Sequence, residues 1–104
     1  MLELTKMEMM QGQAKEAADF LKRIANEHRL MVLCSLVDCE LSVGELNERL
    51  PLSQSALSQH LASLRKANLV RTRRESQTIY YSLQGEQAIK IIEVLQSIFC
   101  PELV

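Results

Sequence analysis

Three cysteines, two histidines and an uneven run of arginines are the residues of this sequence whose types could do chemistry. Cys34, Cys39 and Cys100 cannot all pair within one chain, and none lies in a C-x-x-C. A secreted disulfide framework is therefore not expected, and thiol chemistry here should be regulatory or structural. His28 and His60 have no carboxylate or nucleophile at motif spacing. There is no Gly-rich phosphate loop, H-E-x-x-H or G-x-S-x-G. The residues point to a non-enzyme without a cofactor.

The cations are distributed unevenly. The chain has 12 Lys+Arg against 13 Asp+Glu, a formal charge of −1. From Arg49 to Arg74 there are six basic residues (Arg49, Arg65, Lys66, Arg71, Arg73, Arg74) and no acidic one. The remainder then holds six basic and 13 acidic residues, a balance of −7. Contact with phosphate needs a local arrangement of this kind and not a basic protein overall.

Composition sets the frame in which these residues act. At 104 residues with 47% apolar content, the chain predicts a single domain spanning 1–104, with one core. Aromatics at 4% and no Trp argue against a stacking platform for single strands. Three Gly and two Pro are too few for a disordered chain. No stretch approaches a membrane span, and Met1 to Met10 show no signal-peptide core, so the expected location is cytoplasmic.

The elements that must position the cations read clearly. Ala14, Ala17, Ala18, Leu21, Ile24 and Ala25 share a helix face of small residues suited to close helix packing. Asn26 can cap a second helix with an apolar face of Leu30, Leu33, Cys34 and Val37, and Asp38–Glu40 reads as a turn. Ser42-Val43-Gly44-Glu45 is an S-x-x-E capping box, with Leu41 and Leu46 placed as a hydrophobic staple. Pro51 stops that helix, and Ser53 caps the next, with Leu52 and Leu57 repeating the staple. Leu57, Leu61 and Leu64 form its buried stripe, and Asn68 suits a left-handed residue just past its end. The pair reads as a helix-turn-helix over about 42–67. From Leu69 the period changes to two, predicting a hairpin over about 69–83 with a polar connection at Arg74 to Gln77. Ala88, Ile91, Ile92, Leu95, Ile98 and Phe99 then mark a last helix, about 86–100.

A mainly helical fold with a small β-hairpin, a winged helix-turn-helix, follows. On its second helix, Gln54, Ser55, Ser58, Gln59 and Ala62 lie opposite the leucines. Short hydroxyls and amides there can reach base edges in a major groove. Ser53 and Ser55 sit where backbone N–H groups favour phosphate. His60 could touch phosphate, bridge to the wing or serve structure alone; Arg65, Arg71, Arg73, Arg74 and Gln77 complete the candidate contacts to double-stranded DNA. A solvated polar face is the bland alternative, and a helical dimerisation module with an incidental basic face is another.

From about Ala14 to Cys100 the sequence resembles the ArsR/SmtB winged-helix repressors. The likeness is carried by Leu41-Ser42-Val43-Gly44-Glu45-Leu46, by the ten residues from Leu52 to Leu61, and by Thr78-Ile79-Tyr80-Tyr81-Ser82-Leu83. The resemblance implies a homodimer, joined through its first and last helices, that leaves its operator when an inducer binds. Arsenite- and cadmium-sensing members carry cysteines where this chain has Ser42 and Gly44, and neither residue is a soft ligand. Zinc- and nickel-sensing members use Asp and His on the last helix, where this chain has Glu86 and Glu93 but no Asp or His.

Cys34 and Cys100 fall where the persulfide-responsive branch (BigR/SqrR-like) has its two thiols. The resemblance implies that reactive sulfur species join them and lower DNA affinity. Read without it, Cys34 is a small core residue and Cys100 a helix end. Cys39, flanked by Asp38 and Glu40, is expected to stand apart. A thiolate-based metal or metalloid sensor of the same fold stays open, as does the more remote thiol–disulfide enzyme.

Overall fold

The computed structural model describes residues 2–103, so Met1 and Val104, the two ends of the single-domain reading, lie outside it. Five α-helices and three short strands follow in the order α1 (Leu2–Ile24), α2 (Glu27–Ser35), β1 (Leu41–Ser42), α3 (Val43–Arg49), α4 (Gln54–Lys66), β2 (Val70–Glu75), β3 (Thr78–Leu83) and α5 (Gly85–Phe99). A 3-10 turn, Pro101–Leu103, is the last described element.

Local chemistry at the helix ends explains why the elements start and stop where they do. The Asn26 side chain accepts the backbone N–H groups of His28 (2.9 Å) and Arg29 (3.1 Å), satisfying two of the orphan donors at the start of α2. Arg29 donates from Nη1 to the Arg23 carbonyl at 2.9 Å, tying the start of α2 to the end of α1. The expected capping box is complete: Glu45 N donates to Ser42 Oγ at 3.2 Å and Ser42 N to Glu45 Oε1 at 3.0 Å. These bonds hold the Glu45 carboxyl below its ordinary range. Ser53 Oγ caps α4 through Ala56 N at 3.2 Å. Asn68 stands at φ 62°, in the left-handed region expected of it. Leu69 N then donates to Leu64 O (2.9 Å) and Asn68 N to Arg65 O (3.0 Å), a Schellman closure with Leu64 and Leu69 both buried.

Replacing Asn26 by Ala should lower stability by about 1 kcal/mol, because two N–H donors at the start of α2 lose their acceptor. Urea unfolding at fixed protein concentration measures it, and Asn26→Ser should recover part of the loss.

The core is aliphatic. Leu57, Leu61 and Leu64 of α4 meet Val32 and Leu33 of α2, Leu36 just past its end, Leu46 of α3 and Ile92 of α5, all fully or nearly fully buried. On α2 the buried face is wider than the expected stripe. Val32, Leu33 and Leu36 form its centre and Leu30, Cys34 and Val37 its flanks, because α2 packs against both α4 and α5. Among the described side chains of α1, the last turn reaches this core, through Ile24 with Phe20 beside it; Ala14, Ala17, Ala18 and Leu21 stay exposed on the chain by itself.

The wing differs from the expected hairpin in two respects. Leu41 and Ser42 form a third strand, giving the order β1-β3-β2, antiparallel throughout. Two residues are too few to show an alternating pattern, and Leu41 also acts as the buried residue ahead of α3. The expected polar connection also tightens: Arg74 and Glu75 belong to β2, leaving Ser76 and Gln77 as the turn, with Ser76 at φ 56°.

Candidate nucleic-acid interface and thiol pair

On α4 the buried leucines fix the opposite face. Gln54, Ser55, Ser58, Gln59 and Ala62 are all exposed there. Gln54, Ser58 and Gln59 make no side-chain hydrogen bond within the described residues, so their donors and acceptors are open to a ligand. Ser53 is different, since its hydroxyl is committed to Ala56 N and stands 3.5 Å from Ser55 Oγ. Its contribution is the helix N-terminus itself. Asn47 was not anticipated: its Nδ2 donates to Leu52 O at 2.9 Å, bridging the turn between α3 and α4 and fixing the approach of the second helix. A side-chain amide that reaches a carbonyl five residues on carries no distinctive spacing, so no local pattern announces it.

His60 sits at the edge of the buried stripe and meets α2, not the wing. Its ring centroid is 6.0 Å from that of His28, tilted by 40°. Partial burial, with Arg29 and His28 nearby, pushes the His60 imidazole below its usual range, so its neutral form is favoured. The phosphate contact considered for this residue therefore has weaker grounds than its role in seating α4 on α2.

Strand register divides the wing arginines between two faces. Directly paired residues of antiparallel strands share a face, and successive residues alternate. Arg74 pairs with Ile79 and Thr72 with Tyr81, while Arg73 pairs with Tyr80 and Arg71 with Ser82. Tyr81 lines a shallow groove of about 500 Å³ with Ser58, Ala62, Arg65, Lys66 and Asn68. Arg74 is thus on the sheet face that turns toward α4. Arg71 and Arg73 are on the other face, where Arg71 Nε donates to Ser82 Oγ at 3.3 Å. Arg73, read from the sequence as a phosphate contact, already has partners: its guanidinium holds Glu40 and Glu75 and covers Tyr80.

Arg74→Ala should weaken binding to every duplex and flatten the dependence of log K on log salt by about 0.9, the signature of one lost phosphate contact. A fluorescence titration over a salt series reads both quantities.

The thiols lie at a second place, where α2 meets the end of α5. Cys34 is on the last turn of α2 and Cys100 caps α5, its N–H donating to Gln96 O at 2.8 Å. Both are half-buried free thiols. Burial pushes the Cys34 thiol up, and the nearby Cys100 pushes it further. Cys39 is exposed, and its Sγ donates to Ser35 O at 3.0 Å. Among the described residues, no group of three His, Cys, Asp or Glu side chains is arranged to hold a metal ion.

Two capped helices in helix-turn-helix order, an open polar face on the second, and a strand-paired wing beside it define a winged helix-turn-helix DNA-binding protein. Comparison with known proteins makes the class specific. The family model described as bacterial regulatory protein, arsR family, matches residues 26–72, from the cap of α2 into the wing. The chain is 51% identical over 94 residues to the transcriptional activator HlyU of Vibrio cholerae, covering 90% of this chain and 87% of that one. The solved structure of reduced HlyU from the same organism aligns with a TM-score of 0.84 at 52% identity, over 89% of this chain and 98% of the other. That of the transcriptional repressor BigR from Xylella fastidiosa aligns at 0.83 and 41% identity, over 89% and 95%. The chain belongs to the arsR family of DNA-binding transcriptional regulators.

Proposed function

We propose that this regulator is a homodimeric repressor of the cytoplasm, and that reactive sulfur species release it from its operator by linking Cys34 to Cys100. The observation that supports this reading is the placement of two half-buried thiols near one another, Cys34 on the last turn of α2 and Cys100 at the end of α5. The likeness to a protein named as the repressor BigR and to a structure described as reduced HlyU agrees with it. No catalytic role is assigned to either thiol.

The chemistry balances without a further oxidant. A small persulfide, RSSH, gives its outer sulfur to one cysteine thiolate, forming a protein persulfide and releasing RSH. The second thiolate attacks the inner sulfur of that group; a disulfide forms and hydrosulfide leaves. Where both cysteines are persulfidated, the terminal sulfur of one attacks the inner sulfur of the other. A trisulfide and hydrosulfide result, and the added sulfur relaxes the limit of about 7 Å between Cα atoms that a direct disulfide imposes.

Operator binding should be titrated with the reduced protein and again after graded treatment with glutathione persulfide, with mass spectrometry of the cysteine peptides at each dose. The expected result is a Cys34–Cys100 cross-linked peptide that rises in step with DNA release. Release without that peptide, or release by stoichiometric Zn²⁺ or arsenite under reducing conditions, overturns the sulfur reading in favour of a metal or metalloid sensor.

A further inference from the structure

We propose that Glu40, Arg73 and Tyr80 form a clamp that sets the angle of the wing, making Arg73 a positioning residue for DNA binding and not a phosphate contact. Arg73 Nε donates to both oxygens of Glu40 at 3.0 Å, and Nη2 donates to Oε1 at 2.7 Å. Nη1 donates to Glu75 Oε2 at 2.9 Å, and the guanidinium carbon lies 4.8 Å from the centroid of the Tyr80 ring. Bidentate pairing with a carboxylate and stacking on an aromatic face both use the planarity of arginine, which lysine lacks.

The strand order gives this contact its leverage. Glu40 immediately precedes β1, Tyr80 is on β3 and Arg73 on β2, in a sheet ordered β1-β3-β2. One side chain therefore straps the two outer strands together across the middle one. The clamp also stands at the last rung where the hairpin is backed by the body. Ser42 of β1 pairs with Tyr80, which pairs with Arg73; beyond it, Arg74 with Ile79 and Glu75 with Thr78 form a two-stranded tip without a β1 partner. Arg74, on the α4 side of the sheet, is the next residue out. The Arg73 guanidinium holds the Glu40 carboxyl below its ordinary range, so the pair is ionised at neutral pH.

The sign of one substitution separates this role from a simple charge effect. A carboxylate near a DNA-binding wing repels phosphate and occupies a nearby cation. On charge alone, Glu40→Gln should tighten binding and steepen its salt dependence. A clamp predicts the reverse, because the tip carrying Arg74 loses its fixed angle. Exposed ion pairs add little to global stability, so the variants should fold, and thermal melts check this.

The experiment measures operator and random-duplex affinity over a salt series for the wild type, Glu40→Gln, Arg73→Gln, the double variant and the exchange Glu40→Arg with Arg73→Glu. Each single variant should lose about fivefold or more in operator affinity, a coupling of ordinary size. The double should be no weaker than either single, the exchange should recover part of the loss, and Arg73→Gln should leave the salt slope unchanged. Equal or tighter binding by Glu40→Gln overturns the clamp. So does a slope flattened by about 0.9 in Arg73→Gln, since that is a lost phosphate contact. The clamp rests on the DNA-binding class alone, so a failure of the sulfur response leaves it standing.

Discussion

Cys34→Ser should keep its operator through a persulfide treatment that weakens the wild type by about 10- to 100-fold, within the usual range of allosteric coupling. Cys100→Ser should behave in the same way, and Cys39→Ser should release DNA like the wild type. All three should bind operator normally when reduced, because none lies on the open face of α4. Desolvation and the neighbouring Cys100 both disfavour a thiolate on Cys34, holding its thiol above the ordinary range. The same shift sets the pH dependence of the reaction. The thiolate is the nucleophile, so the rate of bridging should increase with pH up to and beyond the range of an ordinary thiol. Linking the end of α5 to α2 also has a route to the DNA face. α2 packs against α4, and His28 of α2 stands against His60 of α4. A Cys34→Ser protein that still releases operator at the wild-type dose would show that the bridge is not the trigger.

How much of this was legible beforehand depended on the distance over which each signal acts. Ser42, Glu45, Ser53 and Asn68 speak through bonds that span at most a few residues, and each does in the structure what its position predicts. The leucine stripe of α4 was equally plain, because a helix with one buried face shows its period directly. The Glu40–Arg73 contact was hidden, since it joins residues 33 positions apart through a third strand too short to announce itself. Counting cations singled out the segment from Arg49 to Arg74 but treated the wing arginines as one patch. Strand parity, which depends on the register, places Arg71 and Arg73 on one face and Arg74 on the other. His60 was ambiguous for a related reason: its neighbour His28 comes from a helix whose placement no local pattern fixes.

Ile98→Glu should convert the proposed dimer to monomers and reduce operator affinity by about 100-fold or more, the scale on which linking two binding modules multiplies affinity. On the chain by itself Phe99 is 74% exposed and Ile98 62%, with Val94 beside them on α5 and Leu21, Met7, Met9 and Met10 on α1. Large apolar side chains left in water at this density are expected at an interface and not on a free surface. Each such side chain gains about 1.5–3 kcal/mol when fully buried, so a few are enough to favour association. A carboxylate at position 98 reverses this locally, because a charge withdrawn from water without a partner opposes burial. The helix itself should persist, since Ala88 and Ile92 anchor α5 to the core further along it and Glu is a good helix former. The DNA consequence follows from geometry. One α4 reads one half-site, and a monomer must bind each half-site independently. Sedimentation velocity and operator titration should therefore change together, while affinity for a single half-site stays near that of the wild-type protomer. A variant that remains dimeric, or a monomer that keeps full operator affinity, would remove α5 from the proposed interface.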